Sequence, residues 1–421
     1  MLLEIAHVPH KSGLIESVDE RIGIGHDRRV PTPIATYLTV LGALLVAGVL
    51  LSRASARFGV PALLTFLALG MLAGEEGIGR IFFNNYHLSF DVSITALVLI
   101  LFDGGFNTPA VRIRSGLVPA LTLATLGVVG SSALVGLVVH LLFPFNWVES
   151  LLVGSILSST DAAAVFSILG HAGLQLKKRV GMTLEIESGL NDPMAVLLVS
   201  TLTQSLVEGR SISLPAAAMT IATSLVAGVG LGALIGWIAG KLLRIARPPA
   251  SALFPVLTMA VAFLSFGVAT LLGGSGFAAV YVAALILGNV DLPYQSGIRR
   301  VLDSLTWLSQ LLMFLLLGLL VTPSEAIRMA MPGLAIAFFS ALVARPIVAL
   351  APFRLKLREI AYIGLVGLRG ATPIILAIYP GCGPYARRQR NIQRCFLRCS
   401  RKHAFSRSNG RSCSQRAGAQ L

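Results

Sequence analysis

Residues 187–198 read "ESGLNDPMAVLL", and they open a segment that is otherwise apolar from Leu184 to Leu206. Glu187, Ser188, Asn191 and Asp192 fall within six residues of it. Two carboxylates at that depth of a bilayer each cost about 2.5–3.5 kcal/mol to insert. Working outward, apolar runs long enough to cross a membrane recur from about residue 36 to 380. The chain has 421 residues, of which 55% are hydrophobic and only 13% charged, and its mean hydropathy is +0.80. A soluble protein carries about 25% charged residues. The composition therefore excludes a soluble domain and points to an all-α polytopic membrane protein.

About twelve spans are expected by apolar periodicity, with the fifth at 149–170, the sixth at 183–206, the eleventh at 332–353 and the twelfth at 359–380. Those at 60–73 and 275–288 are short. Every second loop is basic: Arg53/Arg57, Arg112/Arg114, Lys177/Lys178/Arg179, Lys241/Arg244/Arg247, Arg299/Arg300 and Arg354/Lys356/Arg358. The loops between them are acidic, near neutral or very short, among them Glu75/Glu76/Arg80, Glu149, Glu208/Arg210 and Glu325/Arg328. Basic loops stay cytoplasmic. Even-numbered spans are thus expected to enter from the cytoplasm, with the N-terminus outside.

Three regions follow: a polar extension at 1–34, a transmembrane domain at 35–380 and a basic, Cys- and Arg-rich tail at 381–421. The tail holds ten Lys/Arg, no Asp or Glu, and all four cysteines: Cys382, Cys395, Cys399 and Cys413. It would emerge on the outer side, against the rule the other loops obey, so it reads as an out-of-frame or truncated end. The spacing of Cys395, Cys399 and His403 matches no zinc pattern, and neither a metal nor any other cofactor is expected. A basic tail that binds nucleic acid would lie on the wrong side of the membrane, so no nucleic-acid partner is expected either.

In the sixth span, Glu187 and Asn191 are four residues apart, and so are Ser188 and Asp192. That spacing places each pair on one helix face. Pro193 follows and leaves the carbonyl of Gly189 without its helical donor. Carboxylate, amide, hydroxyl and carbonyl oxygens suit a hard monovalent cation or a proton. The alternative, polar glue between helices, leaves the cost of two carboxylates unexplained. The fifth span, "GSILSSTDAAAVFSILG" (154–170), carries Ser155, Ser158, Ser159, Thr160 and Asp161 near its middle. This predicts an interrupted helix with loose carbonyls facing a cavity.

The twelfth span, "YIGLVGLRGATPIILAIYP" (362–380), places Arg369 at mid-depth. A guanidinium there needs a carboxylate, and Glu187 is the expected partner. Arg345, before Pro346, lies near the inner end of its span, where snorkelling is expected. Asp103 reads as a structural cap, His140 as interfacial, and Glu75 and Glu76 as solvent-facing.

"STDAAAVFSIL", "EIESGLNDPMAV" and "GLRGATPIILA" together resemble the bacterial NhaP-type members of the monovalent cation:proton antiporter family, especially the potassium/proton branch. The resemblance covers about residues 36–380. It implies an inverted-repeat fold, normally of thirteen spans, with discontinuous crossing helices, in a homodimer at the bacterial inner membrane. It implies that Asp192 binds cation and proton in turn, that Thr160 and Asp161 belong to the broken helix, and that Ser188 lines the ion site. It also implies that the positions of Glu187 and Arg369 pair, and that Asn191 before Asp192 goes with electroneutral exchange. K+ is expected ahead of Na+ as the cation exchanged for H+. The thirteenth span and cytoplasmic domain of that branch have no counterpart, so weak or absent transport is expected.

The residues themselves support the same mechanism. An occluded, empty Asp192 anion is too costly, so it must hold either a proton or a cation, and that rule couples the two flows. An ion channel would use rings of groups from several subunits, whereas these charges cluster once per chain. A nucleotide-driven pump would need a phosphate loop of the form GxxxxGK[ST], which the sequence lacks.

Overall fold

Polar residues sit inside these apolar helices because each hydroxyl can be satisfied by its own helix. Thr258 donates to the carbonyl of Phe254 at 2.8 Å, and Ser265 to that of Val261 at 2.7 Å. Both are fully buried, at no cost in unmet hydrogen bonds. A computed structural model describes residues 33–56, 62–83, 85–160, 178–209, 213–246, 248–349 and 372–379. Among them all regular structure is helical. Asp161, Arg369, the extension at 1–32 and the tail at 381–421 lie outside the described residues.

The helices run in chain order as α1 (Pro33–Ala56), α2 (Ala62–Ala73), α3 (Tyr86–Asn107), α4 (Ala110–Thr122), α5 (Val128–Leu142), α6 (Trp147–Ile156), α7 (Lys178–Glu208) and α8 (Leu214–Ile245). They continue as α9 (Leu253–Leu271), α10 (Gly276–Gly288), α11 (Gln295–Leu320), α12 (Pro323–Arg328), α13 (Ala330–Phe339), α14 (Arg345–Ala349) and α15 (Thr372–Ile378). The chain divides into two units, Met1–Leu51 and Ser52–Leu421. The described part of the first is the beginning of α1, and everything below concerns the second.

Among the described residues six helical stretches are long and apolar enough to cross a membrane: Tyr86–Asn107, Gly116–Leu142, Pro215–Ile245, Leu253–Leu271, Gln295–Leu320 and Ala330–Ala349. Four shorter apolar ones are Leu38–Arg53, Ala62–Ala73, Trp147–Ile156 and Gly276–Gly288. Ala62–Ala73, Trp147–Ile156, Gly276–Gly288 and Ala330–Ala349 fall on the spans expected at 60–73, 149–170, 275–288 and 332–353, and α7 occupies the sixth. Of the twelfth, only residues 372–379 are described.

Two sets of helices pack around separate cores. In one, Leu97, Phe102 and Phe106 of α3 meet Val261 and Ala262 of α9, Val280 and Leu287 of α10, and Ile298 and Leu302 of α11. Here α2 and α11 touch backbone to backbone: a Cβ on Gly70 would collide with Leu315 O and with Gly318 Cα. In the other, Val128 and Leu152 pack with Met194, Ala195, Val199 and Leu202 of α7 and with Leu376 of α15. The helix α7 also packs on α3 and α10, so it runs between the two sets.

Two helix irregularities position the site. A π turn, Ser340–Ala344, leads into α14, because Pro346 has no N–H for the carbonyl of Leu342 and the helix must widen. A second π turn, Leu123–Gly127, joins α4 to α5, and a Cβ on its Gly127 would stand 3.1 Å from Val348 Cγ1 of α14. By contrast α7 runs unbroken through Pro193.

Candidate functional site

A helix that stops early delivers the first polar groups of the site. Asn146 and Glu149 close a capping box at the start of α6. The helix ends at Ile156, and the chain is non-helical through Thr160. Ser155 and Ser158 tether this end: Ser158 Oγ donates to the Ser155 carbonyl at 2.7 Å, and the Ser132 and Ser155 hydroxyls meet at 2.6 Å. This leaves Ser159 and Thr160 facing α7. The helix thus ends just ahead of "SSTD", and Asp161 lies outside the described residues.

Asp192 is buried, 8% exposed. Ser159 Oγ donates to its Oδ1, and Thr372 Oγ1 donates to its Oδ2 at 2.8 Å. The two hydroxyls come from different parts of the chain, one from the end of α6 and one from the start of α15. A hydroxyl can donate to a carboxylate or turn its lone pairs to a cation, which suits a pocket whose occupant changes. Ser188 is half-buried on the same face of α7 as Asp192.

The other face of α7 is built differently. Asn191 Nδ2 donates to the Thr160 carbonyl at 3.1 Å and to Thr160 Oγ1 at 2.8 Å. A carbonyl can only accept, so these contacts orient the amide. Its Oδ1 is then a buried acceptor without a hydrogen bond among the described residues. One turn earlier, Glu187 stands 2.5 Å from Arg345 Nη2, with side chains only 1% and 6% exposed. Arg345 Nη2 also donates to Thr160 Oγ1 at 3.3 Å.

One sequence expectation is corrected here. The guanidinium that meets Glu187 among the described residues is that of Arg345; Arg369, the expected partner, lies outside them. Arg345 does not snorkel: it is 5% exposed, because the π turn before it directs it into the bundle at the helix carrying Glu187. Depth along the span set Arg345 aside in the sequence analysis, but depth does not say which way a side chain turns. Ser159 and Thr372 were also not singled out as ligands. Both stand inside the quoted motifs, but only the convergence of α6 and α15 on α7 reveals what they touch.

The remaining polar residues have local roles. Asp103 accepts from Asn107 Nδ2 at 2.8 Å within the last turns of α3. His140 Nδ1 donates to the Phe145 carbonyl at 2.8 Å, and its ring stacks on Trp147 at 4.1 Å. Glu76 is exposed but engaged, accepting from the Ser324 amide at 2.8 Å and from its hydroxyl at 2.5 Å. These bonds hold its carboxyl below the usual glutamate range. Among the described residues no group of three or more His, Cys, Asp or Glu is arranged to hold a metal.

Comparison with known proteins adds to this geometry. Residues 41–384 match the family described as sodium/hydrogen exchanger, transmembrane. The K(+)/H(+) antiporter NhaP of Alkalimonas amylolytica is 44% identical over 349 residues, covering 82% of this chain and 60% of that protein. The K(+)/H(+) antiporter NhaP2 of Shewanella oneidensis is 45% identical over 350 residues, with 81% and 60% covered. The chain therefore spans about 60% of the length of these curated relatives. The solved sodium proton antiporter MjNhaP1 from Methanocaldococcus jannaschii superposes with a TM-score of 0.72 at 22% identity, over 83% of this chain and 86% of that one. At that identity the likeness is one of fold.

Proposed function

This chain belongs to the sodium/hydrogen exchanger family of transmembrane proteins, and from that premise we propose that it is a secondary active antiporter exchanging a monovalent cation for H+. The family is one of transporters, not enzymes. K+ is the first candidate cation, supported by the two relatives named as K(+)/H(+) antiporters, and Na+ is the second. The observation that carries the reading is the buried Asp192 carboxylate held between the hydroxyls of Ser159 and Thr372. Asp192 takes cation and proton in turn, with Ser188, Thr160, Asp161 and Asn191 around it.

Exchange proceeds by alternating access, one set of helices moving against the other with α7 between them. The framework is a fold of about twelve spans built on an inverted repeat with crossing, interrupted helices. The short α6, stopping at Ile156, supports that arrangement. Asn191 in place of a second acid goes with electroneutral exchange. The protein works as a homodimer in the bacterial inner membrane.

The test is proton flux in sealed proteoliposomes carrying an internal pH dye. Against the sequence expectation of weak or absent transport, addition of K+, or of Na+, should drive proton movement in the wild type, insensitive to a clamped membrane potential. Asp192→Asn should abolish it. Flux that persists in Asp192→Asn would sink the proposed role of this residue.

A further inference from the structure

The polar residues of α7 form two stripes. Glu187 and Asn191 face Arg345 and Thr160 and have been described. The second stripe begins one turn earlier than the sequence motif suggests. Glu185, Ser188 and Asp192 are spaced by three and four residues, which at 100° per residue keeps them on one side of the helix. Seven residues of helix rise about 10 Å, so Glu185 stands roughly that far from Asp192 along the helix. Its end of α7 begins with Lys178 and Arg179, the basic loop that marks the cytoplasmic side.

Glu185 is not isolated there. Thr108, at the C-terminal cap of α3 and 1% exposed, donates to Glu185 Oε1 at 3.4 Å as well as to the Gly104 carbonyl at 2.8 Å. Asn289, the C-cap of α10, holds that corner by donating to the Thr108 carbonyl at 2.8 Å. Tyr281 of α10 completes the arrangement. Its ring occupies the space where a side chain on Gly189 would be, four residues after Glu185 and three before Asp192. Its hydroxyl is buried beside Thr108 and in electrostatic reach of Glu185. Thr108 is its polar neighbour, but among the described residues no group meets that hydroxyl in full hydrogen-bond geometry, an expensive state for a phenol in a tightly packed interface.

From this geometry we infer that Glu185, Thr108 and Tyr281 form an outer site for the transported monovalent cation on the cytoplasmic approach to Asp192, resting on the exchange reading above. A carboxylate and two hydroxyls supply hard oxygen ligands of the type Asp192 has. A partly dehydrated K+ or Na+ gives the buried Tyr281 oxygen the well-placed partner that Thr108 does not supply. The half-buried position of Glu185 places this step between solvent and the deep site. Its charge raises the local cation concentration at the mouth of the path.

The test measures proton flux in proteoliposomes of known orientation, with K+ or Na+ varied on one face at a time. Glu185→Gln should raise the half-saturating cation concentration at the cytoplasmic face by about three- to tenfold, with the opposite face unchanged. Glu185→Asp should restore most of the difference. An unchanged value, an equal rise at both faces, or a lower maximal rate alone would overturn the inference. A wild-type chain without exchange would defeat the antiport reading instead. The outer site would then be read by titrating K+ and Na+ into purified protein, where Glu185→Gln must weaken binding several-fold relative to wild type or the inference fails.

Discussion

Arg345 Nη2 lies 2.5 Å from Glu187 Oε1, with both side chains sealed inside the bundle. The pair joins α14 to the helix that bears Asp192, and through Thr160 Oγ1 it also braces the chain that follows α6. Breaking such a pair leaves a buried charge alone, at a cost of about 3–5 kcal/mol. Glu187→Gln and Arg345→Gln should each lower the melting temperature of the detergent-solubilised protein strongly. The double variant should lose much less than the two losses added. Additive losses would show that the two residues act independently.

Thr372 and Ser159 hold the two oxygens of Asp192. A hydrogen bond to a charged group contributes about 1.5–3 kcal/mol, equivalent to about tenfold or more in binding. Thr372→Val, which keeps the shape and removes the donor, should raise the half-saturating cation concentration of exchange by about tenfold. Ser159→Ala should act in the same direction. Wild-type cation dependence in both variants would separate these hydroxyls from the transport step.

Gly189 is where the site helix gives way to the Tyr281 ring. Gly189→Ala places a methyl group on that ring, and overpacking of this kind costs about 1–3 kcal/mol. The variant should melt lower than wild type, and Tyr281→Ala should recover part of the loss when combined with it. No recovery would mean that the strain arises elsewhere on α7.

Glu76 accepts two hydrogen bonds from Ser324, which hold its carboxyl below its ordinary value. A depressed folded-state value stabilises the fold above the ordinary glutamate range, and that contribution fades as pH falls through the folded value. Glu76→Gln should therefore melt lower than wild type at pH 7, with the gap closing under strongly acidic conditions. A gap that stays constant with pH would assign the effect to packing instead of charge.

Much of the site was legible because of a single physical rule: charges in an apolar span are expensive. That rule selected Glu187 and Asp192 directly, and the hydroxyl run at 155–160 signalled the helix end now seen at Ile156. It ranked Arg369 ahead of Arg345 by depth, and depth along a span does not say which way a side chain turns. The π turn at Ser340–Ala344 decides that for Arg345, and Arg345-Pro346 was its only trace in the sequence.

By itself the sequence determined a helical membrane protein, the alternation of its loops and the two i, i+4 polar pairs of α7. These follow from local properties: hydropathy, charge and the spacing of residues on one helix. Only the tertiary structure decided that Ser159 and Thr372 close on Asp192, that Arg345 answers Glu187, and that Tyr281 lies over Gly189. Those contacts join residues 33 to 180 positions apart in the chain, and their formation depends on how separate helices pack, which no local pattern encodes.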